Sequence, residues 1–385
     1  MNDFRFRMFT DVKYGVGISK TAATICREQG KSKAMLLIDK FLLETEAAKQ
    51  ILEGFKRESV EYVLFTDIVP EPPAKYIDAV ADIMRSTNCD ICVAVGGGST
   101  IDTAKAIAML QNNEGKIADY LFGGTRAVEY PSVPVICIPS TAGTGAETTA
   151  AAVIEDTEKG KKLSVTNDKL IPPFALLDPM LMDSIPAHVA AATGMDALTH
   201  AIESYTSRNS NLVGDAYGLY AMKLIAENLR ECVNNPTNME ARGKMLIASF
   251  LGGAAILNCG VAVVHGIAQS IGAVAHVSHG LGNALILPYS MKKCYMGNPE
   301  KFKDIAIILG EDVEGLTVNE AAAKAADAII KLERDIGICQ RLSEVGVTRE
   351  MFPQIIEETM KYRLRTNTPV EVNEDYIREI LEEAF

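Results

Sequence analysis

The sequence contains no uninterrupted apolar run of the roughly 18 residues that a membrane-spanning helix needs, so we expect no membrane partner. Its 38 Lys and Arg residues stand against 50 Asp and Glu residues, a net charge of −12, and it also lacks a local basic stripe of useful size. Since such a chain repels phosphate backbones, nucleic acid is not an expected partner. The N-terminal residues lack the apolar core of a secretion signal. These absences predict a soluble cytoplasmic protein.

Paired cysteines are almost absent. Cys89 and Cys92 have the spacing of a redox or zinc site, but no second CxxC completes a four-thiolate zinc site. The pair also opens an apolar run, Ile91 to Val95, that is typical of a buried strand. We therefore interpret the eight cysteines as buried thiols rather than as a disulfide framework.

Short apolar runs alternate with amphipathic segments in the first half of the chain. The predicted strands of this half are Ala34–Ile38, Val60–Phe65, Ile91–Val95 and Val133–Ile138. The predicted helices between them include Glu44–Arg57 and Ala74–Arg85. This alternation predicts an α/β domain with a parallel sheet, whose ligands bind beyond the carboxyl ends of the strands.

From Pro186 onward the chain is rich in Ala, Leu and Glu with helical periodicity. The predicted helices of this half include Ala187–Ser207, Val213–Asn234, Met239–Leu257 and Val261–Val274. We expect two domains, residues 1–184 as α/β and residues 185–385 as all-helical, because 385 residues exceed one simple layered core.

Three consecutive glycines, Gly96 to Gly98, follow a predicted strand and open a predicted helix. Glycine lets the backbone approach a ligand closely, and we expect Ser99 to cap a helix whose free N–H groups face an anion. A tight strand–helix turn without a ligand is the alternative.

Asp39 ends an earlier strand, where its carboxylate would bind a ribose diol and repel a 2′-phosphate, which favours NAD over NADP.

A second hydroxyl- and glycine-rich loop, Ser140 to Glu147, also follows a predicted strand and is a further candidate for cofactor contacts.

In the second half, Asp196 and His200 stand four residues apart on one helix face. His265 lies on another helix, and His279 follows after Gly272 permits a break. One carboxylate with three imidazoles suits a divalent transition metal. His276 is a further candidate, whereas His188 is interpreted as an ordinary helix-start residue.

Together these motifs resemble the iron-containing (group III) alcohol dehydrogenases over essentially the whole chain. The resemblance rests on the GGGSxxDxAK pattern from Gly96 to Lys105, the Ser140–Glu147 loop, Asp178-Pro179, the segment from Gly194 to Glu203, and the His-Gly pairs at 265 and 279. It implies a Rossmann-like domain and a helical domain of dehydroquinate synthase-like architecture, with NAD and metal in the cleft.

The resemblance also implies functional residues. The metal ligands would be Asp196, His200, His265 and His279. The cofactor contacts would be Asp39, Gly97, Gly98, Ser99, Ser140, Thr141, Thr144, Thr149 and Lys162. The implied activity is reversible hydride transfer between a small primary alcohol or diol and NAD, with Fe²⁺ favoured by resemblance and Zn²⁺ equally suited to the ligands. A homodimer or larger homo-oligomer is usual in the family.

Three positions depart from the family pattern. Gln269 stands where many members carry a histidine near the substrate, so proton transfer would run differently or through water and ribose. Ala146 replaces a small serine, and Ala151 stands where relatives often have asparagine. Three alternative functions remain open at this point: a glycerol dehydrogenase-like diol oxidoreductase, a dehydroquinate synthase-like lyase, and a non-catalytic NAD- or metal-binding regulator.

Overall fold

The computed structural model describes residues 3–157, 160–183 and 185–385, and the chain divides into two compact units. One unit is Met8–Ile185, and the other joins the segment up to Arg7 to Pro186–Phe385. Arg7 belongs to the helical unit because its backbone N–H donates to Asn258 Oδ1 at 2.6 Å. The division into domains of residues 1–184 and 185–385 stays a proposal, and residue 184 itself lies outside the described residues.

The described α/β unit contains a parallel six-stranded sheet of order β1-β8-β5-β4-β2-β3 and an antiparallel hairpin, β6-β7. The strands are β1 Asp11–Tyr14, β2 Lys33–Ile38, β3 Glu61–Phe65, β4 Ile91–Gly96, β5 Val135–Pro139, β6 Ala151–Asp156, β7 Lys161–Thr166 and β8 Phe174–Leu177. The helices between them are α1 Ala22–Glu28, α2 Glu46–Glu58, α3 Ala74–Ser86 and α4 Gly98–Asn112. The four predicted strands and the predicted α/β class are confirmed.

The strand register brings three chain segments to one edge of the sheet. Ile38 at the end of β2 pairs with Val95 of β4, and Gly96 pairs with Pro139 at the end of β5. The residues that follow these strands therefore emerge side by side. This is the carboxyl edge, where open parallel sheets bind ligands.

The second unit is helical throughout its described residues, as predicted. Its helices are α5 Ala187–Thr206, α6 Leu212–Asn234, α7 Met239–Cys259, α8 Val263–Ala275, α9 His279–Cys294, α10 Pro299–Ile308, α11 Val318–Asp335, α12 Phe352–Lys361 and α13 Glu374–Ala384. Among the described residues no single helix has both the length and the hydropathy of a membrane span. Helices α7 and α8 meet that test only as a pair, across a bend of 105°.

All eight cysteines are free, as expected, and seven are buried; the expectation of burial is wrong for Cys339, which is exposed. Cys89 and Cys92 are both buried, and the Cys92 thiol contacts the Met84 sulfur at 3.6 Å. Burial raises the pKa of both thiols. Neither therefore has the thiolate character of a metal ligand or redox nucleophile.

Candidate active site

Asp196 and three histidine rings converge within the helical unit. Asp196 Oδ1 lies 3.8 Å from His200 Nε2, 3.8 Å from His265 Nε2 and 3.6 Å from His279 Nε2. The rings of His200 and His265 are stacked, with centroids 4.7 Å apart. All these side chains are buried except that of His279, which is 37% exposed. The cluster is thus open to solvent on one side.

Three helices supply these side chains. Asp196 and His200 lie one turn apart on α5, His265 lies in the first turn of α8, and His279 begins α9. The start of α9 approaches α5 so closely that a Cβ on Gly280 would lie 2.4 Å from the Ala192 carbonyl oxygen. Glycine at this position therefore lets His279 reach Asp196.

The helix break before His279 does not lie at Gly272, where the sequence predicted it. Gly272 lies inside α8, and the helix ends instead at His276, whose backbone is left-handed with φ +56°. Histidine adopts this conformation more readily than most residues with a Cβ. Because His276 is exposed and caps the helix, it does not join the described cluster of Asp196 and the other histidines.

The electrostatics of the cluster favour a neutral His200 ring beside a charged Asp196 carboxylate. Burial lowers the pKa of His200 to about 4, so its ring is neutral at pH 7. Burial opposes ionisation of Asp196, but the three imidazoles and the Asn283 amide outweigh it and lower the pKa of that carboxyl. A neutral imidazole keeps one nitrogen lone pair, so His200 and the Asp196 carboxylate can both offer lone pairs to a cation.

Asn283, one turn after His279, reveals where these lone pairs point. Its amide nitrogen donates to Asp196 Oδ1 at 2.7 Å and lies 3.3 Å from His265 Nε2 and 3.2 Å from His279 Nε2. The candidate ligand atoms of Asp196, His265 and His279 all lie within 4.8 Å of one another. A carboxylate oxygen and imidazole nitrogens that converge in this way fit a divalent cation such as iron or zinc.

The predicted cofactor residues gather at the carboxyl edge of the sheet in the other unit. The Asp39 N–H donates to the Val95 carbonyl at 3.1 Å, and the Ser140 N–H donates to the Gly96 carbonyl at 2.9 Å. A Cβ on Gly98 would lie 2.8 Å from Thr144 Cγ2, so the glycine turn and the Ser140–Glu147 loop touch. Thr141 lies nearby, 3.6 Å from the corresponding position on Gly97.

The prediction that Ser99 caps α4 is wrong. Gly97 is the N-cap, and it has no side chain to bond the helix N–H groups. Ser99 lies in the first turn, where its hydroxyl accepts the backbone N–H of Glu71 at 3.3 Å. The N–H groups at the start of α4 therefore have no side-chain cap, which leaves them suited to an anion.

Lys162 and Thr149, two further predicted cofactor contacts, are engaged by other side chains. Lys162 Nζ on β7 lies 2.5 Å from Glu71 Oε1. Thr149 Oγ1 accepts from Lys105 Nζ at 3.1 Å. The Thr149 contact is the less exposed of the two, because Lys105 is fully enclosed while Glu71 is half exposed.

Lys105 has a structural role that the sequence analysis missed. Its Nζ also donates to the Ala146 carbonyl at 2.9 Å and lies 3.9 Å from Asp102 Oδ1. Burial lowers the pKa of Lys105 and raises the pKa of Asp102 to about 6. The lysine thus anchors the loop after β5 to α4, and the i,i+3 spacing of Asp102 and Lys105 was the available signal.

Comparison with known proteins places these two sites in one family. Residues 10–179 match the family model described as iron-containing alcohol dehydrogenase, and residues 190–385 match that of the Fe-containing alcohol dehydrogenase family, C-terminal. The chain belongs to the iron-containing alcohol dehydrogenase family. The predicted family, two-part fold class and NAD-dependent dehydrogenase activity are thereby confirmed.

Individual members of the family resemble the chain along most of its length. The NAD-dependent methanol dehydrogenase of Bacillus methanolicus is 38% identical, over 87% of this chain and 88% of the relative. The 1,3-propanediol dehydrogenase of Klebsiella pneumoniae is 37% identical, over 94% of this chain and 93% of the relative. A crystal structure of 1,3-propanediol oxidoreductase superimposes with a TM-score of 0.95 at 35% identity and covers 100% of both chains. NAD and iron are the cofactors this alcohol dehydrogenase family implies.

The three residues that depart from the family pattern, and His188, have defined positions in the structure. Gln269 lies one turn after His265 on α8 and is partly buried. Ala151 begins β6 and pairs with Thr166 of β7, while the carbonyl of Ala146 accepts from Lys105. His188 is exposed in the first turn of α5, as an ordinary helix-start residue would be.

Proposed function

We propose that the chain catalyses reversible hydride transfer between a small primary alcohol or diol and NAD. The observation that carries this proposal is the convergence of Asp196 Oδ1 with the Nε2 atoms of His200, His265 and His279, at 3.6 to 3.8 Å. Family membership supplies the reaction type, and this cluster supplies a position for the electrophile that such a reaction needs.

In this proposal Asp196, His200, His265 and His279 hold one divalent cation. When bound there, such an ion would act as a Lewis acid towards the oxygen of the alcohol or aldehyde. Iron is favoured by the family, and zinc suits the same donors. Burial keeps His200 neutral at pH 7, so its ring is ready to act as a ligand without first losing a proton.

The chain's own residues orient this set. Asn283 donates to Asp196 and so fixes one carboxylate oxygen towards the imidazoles. Gln269, on the same face of α8 as His265, carries no titratable group. We therefore propose that the alcohol proton leaves through water or the cofactor ribose rather than through a side chain at position 269.

The proposed cofactor contacts are Asp39, Gly97, Gly98, Ser99, Ser140, Thr141, Thr144, Thr149 and Lys162. Asp39 would accept hydrogen bonds from the ribose diol, and its charge would repel a 2′-phosphate, so NAD is preferred over NADP. The uncapped N–H groups at the start of α4 would receive the pyrophosphate. Lys162 would add a positive charge once it separates from Glu71.

The substrate class proposed is a short, uncharged alcohol or the corresponding aldehyde. The names of the two relatives cover a one-carbon alcohol and a diol, which supports small substrates without choosing among them. A diol preference of the glycerol dehydrogenase kind is a possible outcome of the test. A cytoplasmic homodimer or larger homo-oligomer belongs to the proposal on resemblance alone, and light scattering would test the oligomeric state.

The experiment combines metal analysis with an activity panel. Full-length protein purified without oxygen is assayed for iron and zinc, then given NADH or NADPH with formaldehyde, propanal, lactaldehyde and glyceraldehyde. We expect about one metal ion per chain and NADH oxidation with short aldehydes. His265→Ala should lose both the metal and the activity. Turnover by metal-free protein, or by His265→Ala, would contradict the proposal.

A further inference from the structure

Glu203 contacts the back of one histidine of the cluster. One of its oxygens, Oε2, lies 2.6 Å from His265 Nδ1, the ring nitrogen that does not face Asp196. Both side chains are buried, with 4% and 5% of their surfaces exposed. A carboxylate at this distance can accept a hydrogen bond from an N–H at Nδ1, the tautomer in which the lone pair lies on Nε2.

The same carboxylate holds the start of α8. Oε2 also accepts the backbone N–H of Ala262 at 2.8 Å, and Oε1 accepts that of Val264 at 2.7 Å. The N–H between them, from Val263, donates to Thr368 Oγ1 at 3.2 Å. Glu203 thus takes the place of a local cap, since the N-cap residue Ala262 has no side-chain bond to the helix.

These contacts fix both the ring and the helix that carries it. A negative charge at a helix N-terminus is favourable, and the same carboxylate lies beside Nδ1 of His265. His200 differs from His265, because the Nδ1 atom of His200 is buried and has no hydrogen-bond partner among the described residues. His265 is therefore held by a buried carboxylate while its stacked neighbour is not.

We propose that Glu203 is a positioning residue for the metal site, which presents the Nε2 lone pair of His265 to the cation. This inference rests on the proposed function, in that Asp196 and the three histidines must hold a metal. Carboxylates behind ligand histidines orient the ring and raise its basicity, and their loss commonly costs about 10- to 100-fold in metal affinity.

The test is Glu203→Gln, measured by competition for Zn²⁺ against a chromophoric chelator. The amide of this variant has only one acceptor oxygen, and its NH₂ group must replace the other carboxylate oxygen. In one orientation the NH₂ group faces the Val264 N–H. In the other it faces both the Ala262 N–H and His265 Nδ1. We expect the dissociation constant for Zn²⁺ to rise about 10- to 100-fold. A value within twofold of the parent would overturn the proposal.

Asp178→Asn is the matched control. Asp178 is also fully buried and accepts backbone N–H groups on both oxygens, from Gly17 and Met180 on Oδ1 and from Ser19 on Oδ2. It belongs to the α/β unit, and no histidine is among its hydrogen-bond partners in the described residues. This variant should lose stability and keep the parent's affinity for Zn²⁺. An equal loss of affinity in both variants would assign Glu203 a merely structural role.

A second measurement covers the case in which Glu203→Gln does not fold. The ¹⁵N shifts of the ring nitrogens in metal-free parent protein report the tautomer, and five histidines make assignment by single replacements practical. His265 should be protonated at Nδ1, and protonation at Nε2 would overturn the proposal. The failure of the metal site itself would be recognised separately, by unchanged Zn²⁺ affinity in His265→Ala.

Discussion

Lys162 Nζ lies 2.5 Å from Glu71 Oε1, so the lysine expected to contact the cofactor is paired with a carboxylate. The backbone N–H of Glu71 in turn donates to Ser99 Oγ, in the first turn of α4. Glu71 therefore lies beside the proposed phosphate site and adds negative charge there. A bound pyrophosphate would compete with it for Lys162.

We accordingly expect Glu71→Gln to bind NADH more tightly. The change removes both the repulsion of the phosphates and the competing partner of Lys162, an effect of about 1 kcal/mol or three- to tenfold for a half-exposed pair. NADH fluorescence titration measures it. Lys162→Gln should weaken binding, and Glu379→Gln, which removes one of the two ion pairs of Lys293 in the helical unit, should leave it unchanged. Weaker binding in Glu71→Gln would contradict this expectation.

Asp39→Ser should shift the cofactor preference towards NADPH. The carboxylate follows β2 at the edge where Gly97 and Ser140 emerge, and its removal abolishes repulsion of a 2′-phosphate. The ratio of kcat/KM for NADH to that for NADPH should fall about tenfold or more. Asp90→Ser, which changes a carboxylate before β4 at the opposite edge, is the control. An unchanged ratio would remove Asp39 from the ribose site.

Gln269→His should add an ionisation to the pH profile. Histidine titrates near pH 6.5, and on the face of α8 one turn after His265 it would relay a proton that glutamine cannot. The profile of kcat/KM for alcohol oxidation should gain a limb near that pH, whereas Gln269→Asn should keep the parent's shape. If all three profiles coincide, position 269 has no part in proton transfer.

The stability of the α/β unit should depend on pH through Glu147. Burial raises the pKa of this carboxyl from 4.5 to about 7. Between these values the folded chain retains a proton that the unfolded chain has released, so the free energy of unfolding falls as pH rises through this window.

Glu147→Gln cannot titrate, so its free energy of unfolding relative to that of the parent should be higher at pH 8 than at pH 4, by about 3 kcal/mol. Urea denaturation at both pH values measures this difference. Glu53→Gln, at an exposed position on α2, should show no such change. An equal effect of Glu147→Gln at both pH values would mean that the carboxyl is not held protonated by its surroundings.

The sequence predicted strands β2, β3, β4 and β5 and missed strands β1, β6, β7 and β8. Strands β2, β4 and β5 are apolar along nearly their whole length, and their predicted ends lie within two residues of those observed. Strand β1, Asp11–Tyr14, lies at the sheet edge with its residues largely exposed, so it lacks the apolar pattern of a buried strand. The hairpin β6-β7 mixes charged and apolar residues and was missed for the same reason.

The candidate site was predictable where it depends on one helix and not where helices meet. The spacing of Asp196 and His200 fixes a shared face, but their distances to His265 and His279 depend on how α8 and α9 pack on α5. Glu203 was overlooked because a glutamate on a helix is usually solvated. Its place seven residues after Asp196, on the same face, was a signal that could have been used.

The most direct test is an anomalous difference map at the iron absorption edge, from crystals of the full chain grown anaerobically with ferrous salt. The account predicts one peak within about 2.0 to 2.3 Å of Asp196, His200, His265 and His279. A peak held by other side chains, or these four side chains pointing apart without one, would contradict it.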